Sequence, residues 1–306
     1  MDLPVIAIYG PTSVGKTEVS LCLAKLLRQR GEDPVAISAD AFAVYREMPI
    51  ISAAPDETAR GELDYRMVGD LSVAQESNIG VFAARAISEI ESLLNSGRRV
   101  IVVGGSSLYM MALLRNMQIS PPVTSEIRNS VQARIDSEGI ETAYQRLIDL
   151  HPELATQIAS QDARRVGRAL ELIESGHPPV GSSDGIWNAS LRWPTLLVGL
   201  TRDREQLRTR IDNRVEQMLT NGAVAEAETV AAIGCSATAS KAIGLAELLV
   251  GDYESMRVRT WQLARSQLVW MRKMQFDTVI DASSQSAEQV AILIVNQLDS
   301  QGLTWR

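Results

Sequence analysis

The segment Gly10-Pro-Thr-Ser-Val-Gly-Lys-Thr17 matches the pattern G-x-x-x-x-G-K-[ST]. The apolar run at 3–9 predicts a strand before it, and apolar residues at helical spacing after it predict a helix. In this setting, glycines let backbone N–H groups converge on phosphate oxygens at a helix N-terminus. Lys16 adds a full positive charge, and Thr17 offers a hydroxyl to Mg²⁺. The segment therefore predicts a site for phosphate or diphosphate, whatever molecule carries it.

Composition limits the class of protein. With 306 residues, 45% of them hydrophobic, the chain can form one large core or two unequal domains. A net charge of −7 argues against non-specific nucleic-acid binding, although it permits a local basic groove. Cys22 and Cys235 give neither a disulfide framework nor a metal-ligand spacing. Since no basic leader and no bilayer-length apolar run is found, we expect a cytoplasmic protein with no membrane partner.

A second strand, predicted at 35–39, ends at Asp40. In open α/β sheets, ligands bind at the carboxyl ends of the strands, so we expect Asp40 to face the phosphate loop. The alternative is that Asp40 only caps the segment that follows it. The stretch 48–70 contains Pro49, Pro55 and Gly61 and predicts an irregular loop across the active-site face.

A second strand–glycine–helix unit follows. The apolar spacing at 79–94 predicts a helix, the run 99–103 predicts a buried parallel strand, and Gly104-Gly105-Ser106-Ser107 predicts a tight turn into another helix. Two such units indicate an α/β fold with a P-loop NTPase-like parallel sheet core. Ser106 either bonds an oxygen of the phosphate or leaving group or serves only as an N-cap.

The middle of the chain changes character. Between the proline pairs at 121–122 and 178–179, the apolar spacing predicts helices at 126–138, 141–150, 152–160 and 162–175 and no strands. We therefore expect an inserted all-helical subdomain at 119–185, within a catalytic core formed by 1–118 and 186–306.

One segment of this insertion is strongly basic. Arg164, Arg165 and Arg168 fall on adjacent turns of one predicted helix and form a positive stripe. A solvated charged face and a site for an anionic partner are both open interpretations of this stripe.

The C-terminal part returns to alternating elements. A strand is predicted at 195–200 and a helix at 203–220, followed by helices at 223–233, 239–249 and 253–273, a strand at 278–281 and a helix at 286–298. The helix at 203–220 carries Arg204, Arg208, Arg210 and Arg214. Guanidinium groups pair with phosphate oxygens bidentately, so we expect this helix to cover the phosphates.

These motifs together resemble the tRNA dimethylallyltransferases. The resemblance runs from about Ile6 to about Ala282 and rests on the ordered set GPTSVGKT, SADAFAVYREM, VVGGSSLYMMALL, ARRVGRALELIESG, LRTRIDNRVEQML, SKAIGLAELL and QLARSQLVWMRK. It implies transfer of a dimethylallyl group from dimethylallyl diphosphate to N6 of the adenosine 3′-adjacent to the anticodon in tRNA, with release of diphosphate.

The resemblance also implies residue roles. Asp40 would be the general base, Ser106 would contact the bridging oxygen of the diphosphate, and Arg214 would bind the diphosphate. Thr17 would hold a Mg²⁺ cofactor. The diphosphate-binding residues would be Gly10, Thr12, Ser13, Gly15, Lys16 and Thr17.

The implied partner is the tRNA anticodon stem-loop, whose target base must leave its stack to reach the site. We expect the chain to act on it as a monomer. The residues expected on the tRNA side are Ala41, Phe42, Ala43, Tyr109, Arg164, Arg165 and Arg168.

The chain departs from the family pattern on this RNA side. The family pattern D-S-x-Q-V-Y appears as Asp40-Ala-Phe-Ala-Val-Tyr45, which lacks the glutamine that reads adenine. Losing such an amide costs ~1–3 kcal/mol of base discrimination, by analogy with groove readout. The segment Ile51-Ser-Ala-Ala-Pro55 lacks the family's lysine, and Trp261-Gln-Leu-Ala-Arg-Ser-Gln267 lacks two basic side chains.

Three other functions fit parts of the pattern. An enzyme that prenylates free adenine nucleotides would not need the helical insertion. A small-molecule or nucleotide kinase would need an adenine pocket for ATP and a lid of paired arginines. A tRNA-binding protein without catalysis would not need Lys16, Thr17, Asp40 and Arg214 together.

Overall fold

Six parallel strands form one sheet in the computed structural model, which describes residues 3–117, 119–177 and 189–302. The strands are β1 Val5–Tyr9, β2 Pro34–Ser38, β3 Asp64–Arg66, β4 Arg99–Gly104, β5 Thr195–Thr201 and β6 Thr278–Asp281. Their spatial order is β3-β2-β4-β1-β5-β6, and every neighbouring pair is parallel. The predicted α/β fold with a P-loop NTPase-like parallel sheet is confirmed.

A helix follows each of the six strands, as the crossovers of a parallel sheet require. In the part of the chain that the structure describes, the α-helices are α1 Lys16–Gln29, α2 Pro49–Ser52, α3 Glu57–Glu62, α4 Ile79–Asn95, α5 Ser107–Leu114, α6 Ser125–Glu138, α7 Ile140–Leu150, α8 Pro152–Ala155, α9 Ala163–Glu174, α10 Arg204–Thr220, α11 Ala223–Ile233, α12 Leu245–Val250, α13 Tyr253–Met271 and α14 Ala287–Ser300.

Burial explains why the central strands are continuously apolar. All residues of β1, β2 and β4 are buried, because helices cover both faces of the sheet. On one face, α1 contributes Leu23 and Leu27 to a cluster that also contains Ile294 of α14. Arg99, at the start of β4, is 1% exposed; it pairs with Glu32 and donates to the carbonyl of Pro4 at 2.8 Å.

The segment 48–70 is not the irregular loop that the sequence predicted; it contains α2, α3 and β3. Pro49 occupies the first turn of α2, where a missing N–H costs nothing. The Asp56 carboxylate caps α3 by accepting from the Ala59 amide at 2.8 Å. In β3, Tyr65 lies opposite Ala36 of β2, which extends the sheet by one short edge strand.

Two predicted helices are also shorter than expected. The helix predicted at 239–249 is a 3₁₀ turn at Ala239–Lys241 followed by α12, and Gly244 between them has φ +104°, which ends helical geometry. The helix predicted at 152–160 ends at Ala155.

The chain divides into two compact units. The sheet unit consists of Met1–Arg115 and Leu191–Arg306, and the helical unit of Asn116–Ser190. The sequence placed the insertion at 119–185, and its second proline pair, at 178–179, lies outside the described residues. Across the described residues, no helix has the length and apolarity needed to cross a bilayer.

The helical unit has its own small core. Val131, Leu147, Val166 and Leu170 come from α6, α7 and α9 and are at most 3% exposed. The Arg134 guanidinium donates to the Glu174 carboxylate at 2.6 Å, which ties α6 to α9. The unit therefore buries the apolar face of each of these helices within itself.

Candidate active site

The loop between β1 and α1 has the backbone that anion capture requires. Ser13 and Gly15 have φ values of 62° and 113°, so the chain turns in the left-handed region immediately before the helix. A Cβ atom on Gly10 would lie 2.8 Å from the Leu200 carbonyl oxygen of β5, so only glycine fits there. The loop thus sits at the carboxyl end of β1, directly beside β5.

Lys16 supplies the positive charge of this loop. Its Nζ atom donates to the carbonyl oxygens of Gly10 and Pro11, at 3.0 and 2.9 Å. Burial, followed by the nearby Arg214 charge, lowers the pKa of Lys16 to about 8. A partly buried cation whose charge is disfavoured in this way gains most from an anionic ligand.

Two arginines of α10 reach the loop. Arg214 Nη1 donates to the Thr12 hydroxyl at 3.1 Å, and Arg210 Nε donates to the Ser13 carbonyl at 2.7 Å. Burial lowers the pKa of Arg214, while the Asp40 charge opposes that shift. The helix contacts the loop through Arg210 and Arg214, whereas Arg204 lies over the Trp261 ring at 5.7 Å. That the helix covers bound phosphates stays a prediction.

Asp40 follows β2 and lines the same cavity as the loop. Its Oδ1 atom accepts from the amides of Phe42 and Ala43 at 2.8 and 3.2 Å. Among the described residues, no donor engages Oδ2. The carboxylate therefore caps the following turn with one oxygen and leaves the other available to a ligand. The cap that the sequence offered as an alternative is thus present, and it does not exclude a contact between Asp40 and a ligand.

The turn after β4 lies against the loop. A Cβ atom on Gly104 would lie 2.3 Å from the Ala39 carbonyl oxygen, so this close approach of β4 to the end of β2 requires glycine. Ser106 is the N-cap residue of α5, but its side chain makes no capping hydrogen bond within the described structure. Its hydroxyl is therefore available to hydrogen-bond a ligand.

A cavity of about 870 Å³ joins these groups. Its polar wall contains Thr12, Ser13, Gly15, Lys16, Thr17, Asp40, Gly105, Arg210 and Arg214. Its apolar wall contains Phe42, Ala43, Ile51, Val215, Met218 and Met256. A polar end with converging charges and an apolar remainder is typical of a site for an amphipathic small molecule.

Some predicted residues lie beside this cavity rather than on its wall. Ser106 follows the lining residue Gly105, Ala41 is half-buried between the lining residues Asp40 and Phe42, and Gly10 lies two residues before Thr12, the first lining residue of the loop. Tyr109 of α5 packs edge-on against Phe82, with ring centroids 4.7 Å apart. Burial raises the pKa of Tyr109 to about 12, so it stays a neutral phenol.

The predicted basic stripe lies at the start of α9 in the helical unit. Arg168 pairs with Glu171 at 3.0 Å and donates to the Pro121 carbonyl at 2.8 Å, and Arg165 lies 3.5 Å from Asp162. Arg164 is exposed and has no ion-pair partner among the described residues. Of the three, Arg164 is thus the arginine least committed to the unit itself.

The sequence did not single out Gln267 of α13. Its Oε1 atom accepts from the Thr12 amide at 2.8 Å, and its Nε2 atom donates to the Gly105 carbonyl at 2.9 Å. Gln267 lies 255 residues from Thr12 along the chain, so no local pattern predicts this contact. The sequence places an amide side chain within a predicted helix, and only the structure shows that this position is buried, which is uncommon for glutamine.

The Thr17 hydroxyl is placed where it could hold a magnesium ion together with the oxygens of a bound phosphate group and water. The described residues contain no cluster of three or more His, Cys, Asp and Glu side chains that could hold a metal ion. Thr17 lines the cavity and is the one protein ligand that the sequence predicts for the metal. Mg²⁺ is commonly bound through one or two protein ligands, phosphate oxygens and water, and this donor set suits that arrangement.

Comparisons with known proteins agree with this geometry. A family model described as IPP transferase matches residues 43–274. The tRNA dimethylallyltransferase of Corynebacterium jeikeium is 34% identical over 292 residues, covering 91% of this chain and 92% of that protein. That of Cutibacterium acnes is 33% identical over 286 residues, covering 89% and 88%.

Solved structures extend the likeness to the fold. The full-length tRNA isopentenylpyrophosphate transferase of Bacillus halodurans superposes with a TM-score of 0.68 at 25% identity, covering 98% of each chain. A eukaryotic dimethylallyltransferase, crystallised acting on tRNA, gives a TM-score of 0.78 at 26% identity, covering 97% of this chain and 80% of that one. With a family model over most of its length and relatives above 30% identity, this chain belongs to the tRNA dimethylallyltransferase family.

Proposed function

We propose that this chain transfers a dimethylallyl group from dimethylallyl diphosphate to N6 of the adenosine 3′-adjacent to the anticodon in tRNA. The observation that carries the proposal is the single cavity in which Asp40 shares a wall with Lys16 and Arg214. A base and a cationic diphosphate cradle in one cavity are what alkyl transfer from a diphosphate ester needs.

The cradle acts on the leaving group. As the bond between the allylic carbon and the diphosphate oxygen breaks, negative charge grows on the diphosphate. In this proposal, Lys16, Arg214 and the loop amides stabilise that charge, and their partly buried setting strengthens the effect. Mg²⁺, when bound at Thr17, would supply further positive charge to the same oxygens.

The Asp40 carboxylate acts on the acceptor. The exocyclic amine of adenine becomes acidic as its nitrogen bonds the allylic carbon, so a carboxylate within hydrogen-bond reach suffices to take the proton. Because Oδ1 is held by the Phe42 and Ala43 amides, we assign the proton to Oδ2. The balanced step forms one C–N bond, breaks one C–O bond and moves one proton to Asp40.

The apolar wall suits the transferred group. Side chains such as Ile51, Met218 and Met256 offer surface to a five-carbon isoprenoid and exclude water from the allylic carbon. Excluding water protects the developing allylic cation from hydrolysis.

The macromolecular partner is tRNA. Ala43 stands where the family pattern has an amide, so adenine recognition by this chain depends on other contacts. Exposed Arg164 in the helical unit is suited to a phosphate of the anticodon stem-loop. We assign the activity to a cytoplasmic monomer, since tRNA is a cytoplasmic substrate and the cavity is formed within one chain.

One experiment tests the proposal against its alternatives. Purified protein is incubated with Mg²⁺ and dimethylallyl diphosphate labelled in the isoprenoid, with unmodified tRNA, AMP or ATP as acceptor. We expect label in tRNA and not in AMP or ATP. Label in AMP alone would indicate a nucleotide prenyltransferase, and phosphate transfer from ATP without prenyl transfer would indicate a kinase.

A further inference from the structure

Gln267 connects the two glycine turns of the site. Its side chain belongs to α13, is 8% exposed, and bonds Thr12 of the phosphate loop on one side and Gly105 of the turn after β4 on the other. The Gln267 carbonyl also accepts from the Tyr9 hydroxyl at 3.1 Å. Both the backbone and the side chain of this residue are thus fixed to the carboxyl ends of β1 and β4.

The two turns approach each other closely at this point. A Cβ atom on Gly105 would lie 2.5 Å from Gln267 Nε2 and 2.9 Å from the Gly10 carbonyl oxygen. One turn presents an N–H donor and the other a C=O acceptor, so the bridging group must accept and donate at once. A carboxamide does this at neutral pH, whereas a carboxylate only accepts and an ammonium only donates.

We propose that Gln267 is a positioning residue that sets the spacing between the phosphate loop and the Gly105–Ser106 turn. The inference rests on the proposed function, in which Lys16 and the Ser106 hydroxyl engage the same diphosphate. Ser106 follows Gly105 directly, so a shift of the Gly105 carbonyl moves that hydroxyl relative to the loop. A misplacement of about 1 Å at a reacting group can cost about 10²-fold in rate.

The first test replaces Gln267 with methionine, which has similar length but no donor or acceptor of comparable strength. For Gln267→Met, we expect kcat for transfer to tRNA to fall about 10–100-fold. The dissociation constant for inorganic diphosphate should change less than about threefold, because Lys16 and Arg214 are untouched. Gln262→Met, at an exposed position of the same helix, is the matched control and should leave both values unchanged.

A pH profile of Gln267→Glu distinguishes positioning from general packing. When protonated, the introduced carboxyl can accept from the Thr12 amide and donate to the Gly105 carbonyl, whereas its ionised form can only accept. We therefore expect the ratio of its kcat to that of the parent to rise as the pH falls. The same ratio for Gln267→Met should not depend on pH.

Hydrogen exchange gives a readout that does not require activity. The peptide covering residues 10–17 contains the Thr12 amide, which loses its acceptor in Gln267→Met and should exchange faster than in the parent. A kcat for Gln267→Met within twofold of the parent, or a flat ratio for Gln267→Glu, would overturn the proposal. If Gln267→Met does not fold, the Gln267→Glu profile decides. If the parent transfers nothing to tRNA, the proposed function fails, while exchange at Thr12 still tests the bridge.

Discussion

The Asp40 carboxylate makes a structural contact in addition to its proposed role as the base. Its Oδ1 atom fixes the turn at 40–43 through two backbone amides, and that turn in turn orients the carboxylate in the cavity. A base held in this way loses little rotamer freedom when the acceptor binds. Any substitution at this position therefore has to be judged against the turn as well as the chemistry.

Asparagine at position 40 separates these two roles. In Asp40→Asn, the amide oxygen can still accept from the Phe42 and Ala43 amides, but the side chain cannot take a proton. We expect kcat to fall about 10²–10⁴-fold, as is usual when a general base is lost, with little change in diphosphate affinity. Asp40→Ala should lose a similar amount of kcat and also some stability. Steady-state kinetics measure kcat, and a diphosphate titration measures the affinity. A kcat of Asp40→Asn within a few-fold of the parent would show that another group is the base.

Arg214 offers a second test, on binding. Its guanidinium donates to the Thr12 hydroxyl and lines the polar wall of the cavity, where we propose that the diphosphate binds. Arg214→Gln should raise KM for dimethylallyl diphosphate about 10–100-fold, since a charge-assisted bond contributes about 1.5–3 kcal/mol. Arg208→Gln on the same helix is the control, because Arg208 is exposed and does not line the cavity. An equal rise in KM for both variants would show that Arg214 does not bind the diphosphate.

At the residue scale, the sequence predicted the groups that belong to local patterns. Lys16, Thr17 and Asp40 follow strands whose apolar runs are readable, so their meeting at one sheet edge could be inferred. Gln267 could not be assigned, because its role depends on α13 packing across two strand ends far away in the sequence. The same reason separates Arg210 from Arg208, which look alike in the linear pattern but differ in which face of α10 they occupy.

At the scale of elements, a carboxylate positions the short helix α2. The Glu226 carboxylate of α11 accepts from the amides of Ile50 and Ile51, at 3.0 and 2.7 Å. These are first-turn N–H groups that have no partner within the helix. The contact holds Ile51 on the wall of the cavity.

We expect Glu226→Ala to lower the free energy of unfolding by about 1–3 kcal/mol, because two donors lose a charged acceptor. Urea denaturation measures this change. Glu228→Ala, at an exposed position of the same helix, serves as its control and should change stability by less than about 0.5 kcal/mol. A similar decrease in the free energy of unfolding in both variants would show that the contact between Glu226 and α2 does not stabilise the fold.

The stability that Glu226 contributes should also depend on pH. Burial raises the pKa of Glu226 above its ordinary value of 4.5, so the folded state holds this proton more tightly than the unfolded state. The contribution is therefore complete below the unfolded-state pKa and decreases as the pH rises through the folded-state pKa. The stability of the parent relative to Glu226→Gln should accordingly be greater at pH 4 than at pH 7. A relative stability that increases with pH would contradict the sign of this shift.

Helices and strands could be predicted from the sequence where their apolar pattern extends over many residues. The strands of the sheet centre and the helices α4, α10 and α11 matched because each carries at least one full apolar face or run. The segment 48–70 failed because α2, α3 and β3 have six residues or fewer, too short for any period to show. Pro49 is the first residue of α2, Pro55 lies in the short connection between α2 and α3, and Gly61 lies in the last turn of α3.

At the scale of the whole molecule, the helical unit is inserted into the sequence of the sheet unit between two segments that lie side by side. Arg115 and Leu191 form an antiparallel bridge, and the Arg192 amide donates to the Leu114 carbonyl at 2.7 Å. These contacts lie within the sheet unit and bring the two ends of the insertion side by side. A short linker could therefore join them with little strain.

Replacing residues 116–190 by a short Gly-Ser linker should leave the sheet unit folded, because the buried cluster that contains Leu23 and Ile294 includes no residue of the insertion. Diphosphate affinity should stay within about threefold of the parent, since every cavity residue is retained. Transfer to tRNA should fall about 100-fold or more, because losing even two charge-assisted bonds to phosphates costs about 3 kcal/mol. Calorimetry, diphosphate titration and the labelled transfer assay measure the three quantities. Unimpaired transfer in the shortened chain would place tRNA recognition in the sheet unit alone, whereas loss of diphosphate binding would show that the cavity depends on the helical unit for its shape.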